Sequence, residues 1–311
     1  MPRRHLRGVL PYVSMGALML GVEVLSLALV PRFDAAGMQA TQNPSNPINS
    51  VVYIAFILVF TAVMLAVMKY GMDWILRGVI LLSAGSLSYY ALSVLLPLPF
   101  ALLGGAGVAV LLYLYPEWYV IDSAAVLMGG AGGGLFGISF GVLPSLVLLV
   151  LLAVYDAIAV YRTRHMLALA EGVSEMRLPI LFIVPTKPGY SFIEASKQGD
   201  PTGTGGDGDD ETSRDDRDAF FMGLGDAVIP SVLIASSAHF LGGDLGLPIA
   251  LNYPALGGIV GSFVGFAALM YLVSKGKPHA GLPLLNGGTI AGFVVGVLAL
   301  GVPVTEILSL A

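Results

Sequence analysis

The chain lacks cysteine and is poor in charged residues. No cysteine occurs among its 311 residues, which excludes disulfide bonds, thiolate catalysis and cysteine-based metal sites. Lys, Arg, Asp and Glu together make up 11% of the chain, against roughly a quarter in soluble domains. Hydrophobic residues make up 56%, so the composition predicts a polytopic membrane protein.

The acidic residues concentrate in one loop. The formal net charge is -5, and nine of the twenty Asp and Glu residues fall between Glu194 and Asp218. The Gly- and Asp-rich stretch 203–210 lacks the alternating ligands and closing glutamate of a calcium loop. Residues 191–218 are therefore predicted to be a disordered linker. We expect no metal, no other cofactor and no nucleic-acid partner.

Apolar runs follow one another along the chain. A membrane-crossing helix needs about 20 predominantly apolar residues. Nine runs approach or exceed this length, at about 8–30, 51–68, 74–96, 99–115, 118–140, 143–161, 219–241, 253–274 and 282–302. The sequence thus predicts an all-α protein with nine transmembrane helices. Six helices lie in residues 1–162, a partly disordered acidic loop occupies 163–218, and three helices lie in 219–311.

The basic residues predict the orientation of these spans. With the N-terminus in the cytoplasm, fourteen of the fifteen Lys and Arg residues lie on the cytoplasmic side, and Arg32 is the exception. This distribution follows the positive-inside rule. We therefore expect a multi-pass protein of the cell membrane. Its N-terminus and the loop between the sixth and seventh spans would be cytoplasmic, and its C-terminus would be outside.

Aspartates interrupt two of the apolar runs, Asp156 in the sixth span and Asp226 in the seventh. A charged group at the centre of a bilayer costs roughly 2.5–3.5 kcal/mol on insertion scales, so it is seldom there without a role. Asp156 lies six residues before Arg162, and Asp226 lies seven residues after Ala219. Both are then about 10 Å from the same membrane face. Two carboxylates at equal depth on neighbouring antiparallel helices can share a site.

Other features concern packing and the membrane surface. Glu23 in the first span is expected to be satisfied by a neighbouring helix, and Asp122 to lie at the interface. The glycines between 129 and 137 predict close packing of the fifth span. Residues 164–177 suit a short amphipathic surface helix. Residues 178–184 are apolar and strand-like but too short to cross the membrane.

A pair of aspartates can hydrolyse a peptide bond without a metal or a nucleophilic side chain. Like charges a few ångströms apart do not both ionise readily, so the pair keeps one proton while it activates a water. Gly223 and Gly225, on either side of Leu224, let a substrate backbone approach. A helical substrate must first unwind, and an unpaired strand at 178–184 could hold it by added backbone hydrogen bonds.

Tyr155-Asp156 in one span and Gly223-Leu224-Gly225-Asp226 in the next resemble the YD and GxGD motifs of the presenilin and signal peptide peptidase family of intramembrane aspartyl proteases. The likeness extends to the flanking segments 154–166 and 280–286 and is nearest to archaeal presenilin homologues. The resemblance implies a presenilin-like fold and endoproteolysis of transmembrane proteins within the lipid bilayer. It implies Asp156 and Asp226 as the catalytic pair, with Tyr155, Gly223, Leu224 and Gly225 shaping the site.

The Pro-Ala-Leu motif of that family has no literal copy at the head of the ninth span. Gly281, Leu282 and Pro283 stand there after Ala280 and are expected to help shape the site. A literal Pro254-Ala255-Leu256 one helix earlier is interpreted as coincidental.

Two other functions are compatible with buried aspartates. A proton- or cation-coupled transporter or channel would use them to bind ions, but the sequence shows no inverted repeat. A prepilin-peptidase-like protease shares the GxGD site, but its usual cysteine-bearing segment is missing. A single chain and a homo-oligomer are equally compatible with the sequence.

Overall fold

The computed structural model of the protein describes residues 2–41, 43–163, 181–187, 189–197, 218–274 and 280–301. Most of these residues are helical, and a two-stranded sheet accompanies the helices. A π-helical turn, Ala159–Thr163, extends the sixth helix. In chain order the elements are α1 (Pro2–Ala35), α2 (Ile48–Lys69), α3 (Asp73–Ser93), α4 (Leu98–Leu114), α5 (Trp118–Ser139), α6 (Val142–Ile158), β1 (Leu181–Pro185), α7 (Phe192–Lys197), β2 (Ala219–Gly223), α8 (Leu224–Phe240), α9 (Tyr253–Ser274) and α10 (Gly281–Ala299).

Within the described ranges, seven helices are long and apolar enough to cross a membrane: α1, α2, α3, α5, α6, α9 and α10. Helices α4 and α8 are also apolar but have 17 residues each, a length of about 25 Å. The predicted helical membrane protein is thereby confirmed. The prediction of an all-α chain is incomplete, because β1 and β2 pair.

Helix α5 lies at the centre of the bundle. In its span 72% of the residues are buried, against 11% in that of α2, and α1, α3 and α8 pack around it. A Cβ atom at Gly130 would lie 2.6 Å from Cγ of Leu25, and one at Gly133 would lie 2.8 Å from Oγ of Ser26. No side chain fits at those distances, so glycine is what allows α1 to approach α5. The close packing predicted for this span is confirmed.

Helices α9 and α10 form an even closer contact, which the sequence analysis did not anticipate. A Cβ atom at Gly257 would overlap the carbonyl oxygen of Gly292, and one at Gly261 would overlap that of Gly288. The start of α9 packs against the end of α10, since a Cβ at Gly296 would lie 2.7 Å from Cα of Pro254. The two helices are therefore antiparallel and joined backbone to backbone.

Glu23 of α1 is fully buried, and its Oε1 accepts a hydrogen bond of 2.7 Å from the hydroxyl of Ser262 in α9. The expectation that a neighbouring helix satisfies this acid is confirmed for one carboxylate oxygen. The other oxygen, Oε2, has no hydrogen-bond partner among the described residues.

The sheet pairs β1 and β2 antiparallel, with Ile183 opposite Phe221. Its two faces alternate as a strand requires. Phe182 and Met222 pack into a cluster with residues of α1, α9 and α10, whereas Ile183 and Phe221 pack into a cluster with residues of α5. Helices thus cover both faces of the sheet.

Two predictions about this region are wrong. The seventh span was predicted to begin at residue 219, but α8 begins at Leu224 because the five preceding residues pair with β1. The linker 191–218 was predicted to be disordered, but Phe192–Lys197 within it is helical, and the carboxylate of Glu117 accepts the N–H of Phe192 at the start of that helix. The predicted amphipathic helix at 164–177 and most of that linker lie outside the described residues.

Candidate active site

Asp156 lies on the buried face of α6, three residues before the regular helix gives way to the π-helical turn. Leu149 and Leu152 precede it at helical spacing on the same face and are buried, as is Asp156 itself. Its Oδ2 accepts a hydrogen bond of 3.1 Å from the backbone N–H of Leu282. The first turn of α10 therefore holds this carboxylate.

Asp226 lies in the first turn of α8, where a carboxylate interacts favourably with the helix dipole. Strand β2 ends at Gly223, and α8 follows without a loop. The Oδ2 atom of Asp226 lies 3.5 Å from the position that a Cβ of Gly223 would take. The last residue of β2 therefore lies beside this carboxylate.

Gly281 brings the two carboxylates together. A Cβ atom on this residue would lie 3.3 Å from Oδ2 of Asp226, while the backbone of Gly281 and Leu282 faces Asp156. Helices α6 and α8 pack side by side, and each carboxylate lies against the first turn of α10. Two acids 70 positions apart in the sequence thus meet at the head of α10.

The other predicted site residues occupy different surroundings. Tyr155 is 45% exposed, so its side chain points away from the buried face that carries Asp156. Leu224 packs onto α5, its Cδ1 lying 3.1 Å from the position of a Cβ at Gly129. Gly225 is exposed, and a Cβ there would meet nothing within 4 Å. Open space therefore adjoins the GxGD turn at this residue.

The start of α10 contributes the remaining predicted residues. The side chain of Leu282 packs against a cluster formed by Leu148 and Leu152 of α6 and Val232 of α8. Half-buried Pro283 lies in the first helical turn, where a backbone N–H has no partner within the helix, so proline removes no bond.

The literal Pro254-Ala255-Leu256 lies at the opposite end of the bundle. Pro254 contacts Gly296, which is fifteen residues and about 22 Å along α10 from Gly281. This copy therefore lies apart from the two aspartates.

Asn286 is a further polar residue of this region, and it was not among the predicted site residues. It is fully buried in α10, and its Nδ2 donates a hydrogen bond of 2.8 Å to the carbonyl of Leu149 in α6. The bond ties α10 to α6 about two turns before Asp156. A lone amide in an apolar span was the available signal, since buried polar groups seek partners on other helices.

Asp122, which was expected near the membrane interface, is buried within the protein, with 6% of its surface exposed. Its Oδ1 accepts a hydrogen bond of 2.8 Å from the backbone N–H of Ile183. This carboxylate therefore belongs to the contact between α5 and β1.

Comparison with known proteins assigns the chain to a family. The family model for signal-peptide peptidase, presenilin aspartyl protease, matches residues 16–302. The chain belongs to this family. Two solved structures, each of a presenilin family intramembrane aspartate protease, in C222 and P2 space groups, are similar to it at 36% and 37% identity. Each similarity covers 93% of this chain and 99% or 98% of the other chain, with a TM-score of 0.64. No curated protein matches the chain.

This presenilin-family chain is an intramembrane aspartyl protease, a hydrolase embedded in the bilayer that acts on transmembrane proteins. Family membership thus favours the protease over the transporter, channel and prepilin-peptidase alternatives.

Proposed function

We propose that Asp156 and Asp226 are the catalytic pair of this protease and that they activate one water between them. The ionised carboxylate takes a proton from the water as the water oxygen bonds to the carbonyl carbon, and the protonated carboxylate donates its proton to the carbonyl oxygen. The C–N bond of the tetrahedral intermediate then breaks, and the proton taken from the water passes to the leaving nitrogen, which returns the pair to its one-proton state. The observation that carries the proposal is the meeting of both carboxylates at Gly281. The N–H of Leu282 orients Asp156, and Gly223 and Gly281 leave room beside Asp226.

The test is the cleavage of a reporter transmembrane protein by purified Asp156→Asn and Asp226→Asn variants. Each should lose at least about a thousandfold in rate, because either change removes the shared proton, which is the core of the mechanism. Glu23→Gln is the matched control, since it neutralises a buried carboxylate that lies outside the site and accepts a hydrogen bond from Ser262. Cleavage by either aspartate variant at the rate of Glu23→Gln would refute the assignment.

We infer that an unwound substrate adds to the outer edge of β2, which pairs with no further strand among the described residues. Because Ile183 donates its N–H to Asp122, the pair Ile183–Phe221 is one that does not exchange ladder hydrogen bonds. The backbone groups of Phe221 therefore point away from β1. Gly223, two residues on, has the same direction and lies beside Asp226. This replaces the sequence-based expectation that an unpaired strand at 178–184 receives the substrate, since β1 pairs with β2 on one side and the N–H of Ile183 bonds Asp122 on the other.

We further propose nine membrane spans, with α4 and α8 as the two short ones, and a cytoplasmic N-terminus. The three parts 1–162, 163–218 and 219–311 then remain as predicted. Since the chain has no cysteine, single cysteines can be placed and labelled with an impermeant maleimide without removing native ones. Ala36→Cys, after α1, should label from outside intact cells, and Tyr70→Cys, after α2, should label after permeabilisation only. The reverse pattern would contradict this orientation.

The proposed orientation also limits the substrates. Substrate helices whose N-terminus lies outside the cell would run antiparallel to α8. The aspartates would cleave such helices toward the cytoplasmic end of the substrate. Reconstitution with reporter helices of both orientations tests this selectivity, and equal cleavage of the two would count against it.

A further inference from the structure

The acidic end of α5 carries two carboxylates that bond backbone outside their own helix. Asp122 lies in the second turn of α5, is buried, and accepts the N–H of Ile183 in β1 at 2.8 Å. Glu117, at the N-cap of the same helix, accepts the hydroxyl of Ser191 at 2.6 Å and the N–H of Phe192 at 3.1 Å. The segment that contains β1 and α7 is therefore attached to α5 at two points.

The bond from Ile183 to Asp122 occupies the edge of the sheet. In an antiparallel ladder, the residues that do not bond the partner strand direct their N–H and C=O groups outward. Ile183 is such a residue, and an outward N–H is where a third strand would pair. The Asp122 carboxylate fills that place, so β1 presents no free donor at Ile183 to an incoming peptide. An added strand is thereby directed to the other edge, at β2.

The same bond sets the position of β1 along α5. Sheet register then transmits that position to β2, because Ile183 pairs with Phe221 and Leu181 with Gly223. A slip of one residue would move the strand by about 3.3 Å and turn every side chain to the opposite face. Ile183 is 1% exposed and Phe182 is fully buried, so both faces resist the slip, and the bond to Asp122 selects the one register that satisfies the N–H of Ile183.

Strand β2 connects this register to the chemistry. It ends at Gly223, whose Cβ position is 3.5 Å from Oδ2 of Asp226. A substrate strand bonded to β2 therefore reaches the aspartates in a register that depends on the position of β1 and hence on Asp122. The side chain of Asp122 need not touch the substrate for this.

We propose that Asp122 is a positioning residue that closes the β1 edge and fixes the register of the sheet, and thereby selects which peptide bond of the substrate is cut. The proposal rests on the proposed function, in which the substrate adds to β2 and the two aspartates cleave it. What it adds is a residue that governs the cleavage position and stands outside the GxGD and YD motifs.

The test compares Asp122→Ala with Asp122→Asn in the purified full-length protein, using one reporter transmembrane substrate and mass spectrometry of its products. Asparagine keeps an acceptor oxygen at the same place, whereas alanine leaves the N–H of Ile183 without a partner. We expect the ratio of secondary to main products to rise about tenfold in Asp122→Ala, equivalent to about 1.4 kcal/mol between registers. Asp122→Asn should restore the wild-type ratio.

Two further measurements keep the test decisive. Hydrogen exchange of the peptide spanning 181–187 should accelerate in Asp122→Ala and not in Asp122→Asn. If the alanine variant does not fold, Asp122→Glu replaces it, because an acceptor one methylene longer displaces β1 and should still change the product ratio. An unchanged ratio in the folded alanine variant, or in the glutamate variant where it is the one used, overturns the proposal.

Failure of this proposal is distinguishable from failure of the proposed function. If Asp156→Asn and Asp226→Asn are inactive and Asp122→Ala lowers the rate with an unchanged product ratio, Asp122 is merely structural. If either aspartate variant remains active, the proposed function fails, and the proposal for Asp122, which rests on it, fails as well.

Discussion

Replacing Gly281 by alanine tests how closely the two aspartates are held. The added Cβ would lie 3.3 Å from Oδ2 and 3.5 Å from Cγ of Asp226, closer to Oδ2 than ordinary van der Waals contact. The carboxylate must then move by a few tenths of an ångström. A displacement of about 1 Å in an active site can cost about 100-fold in rate. We therefore expect kcat/KM to fall about tenfold, which corresponds to about 1.4 kcal/mol of transition-state stabilisation.

The stability of this variant should change little. Gly281 opens α10, and alanine at the start of a helix costs no backbone bond, so the free energy of unfolding should stay within about 0.5 kcal/mol. Gly287→Ala is the matched control in the same helix, because its Cβ would meet nothing within 4 Å. Alanine there should retain activity and stabilise the helix by about 0.5–1 kcal/mol.

The assay is steady-state cleavage of a reporter transmembrane substrate in detergent or proteoliposomes, beside a thermal unfolding curve for each variant. Wild-type kcat/KM in Gly281→Ala would refute the reasoning, because it would show that the carboxylates tolerate a side chain between them. Equal losses in Gly281→Ala and Gly287→Ala would refute it too, since only the first alanine reaches Asp226.

Two further predictions concern packing and substrate binding. Gly292→Ala should lower the free energy of unfolding by about 1–3 kcal/mol, as overpacking does, because its Cβ would overlap the carbonyl oxygen of Gly257. The control is Gly107→Ala, whose Cβ would meet nothing within 4 Å. Equal thermal unfolding curves for the two variants would contradict this prediction. Phe221→Pro should lower kcat/KM at least about tenfold relative to Phe221→Ala, because proline removes the backbone N–H that points away from β1. Equal turnover of the two folded variants would exclude pairing of the substrate at that edge of β2.

Several properties of this protease could be read from individual residues and their spacing. The apolar runs predicted the helices, and most of the observed helices begin and end within a few residues of the predicted bounds. Asp156 and Asp226 stood out because each is an isolated acid in an apolar run. Their spacing from the basic and polar flanks predicted that the two acids lie at the same end of the bundle.

The start of α8 could not be read in the same way. Residues 219–223 are apolar and continue the hydrophobic run of the helix, so periodicity alone does not separate them from it. Their strand conformation depends on pairing with 181–185. Asp226 is consequently in the first turn of a helix rather than two turns inside it.

The sequence by itself determined that this chain enters the membrane, that two of its apolar runs each carry an isolated acid, and that the residues around those acids match one protease family. The tertiary structure decided that Asp156 and Asp226 converge on Gly281, that Asn286 ties α10 to α6, and that Asp122 bonds the edge of β1. The physical reason is that hydropathy reports the surroundings of a helix along its length. In a bundle whose outer faces are also apolar, which sides of two helices meet depends on close contacts between residues far apart in the chain.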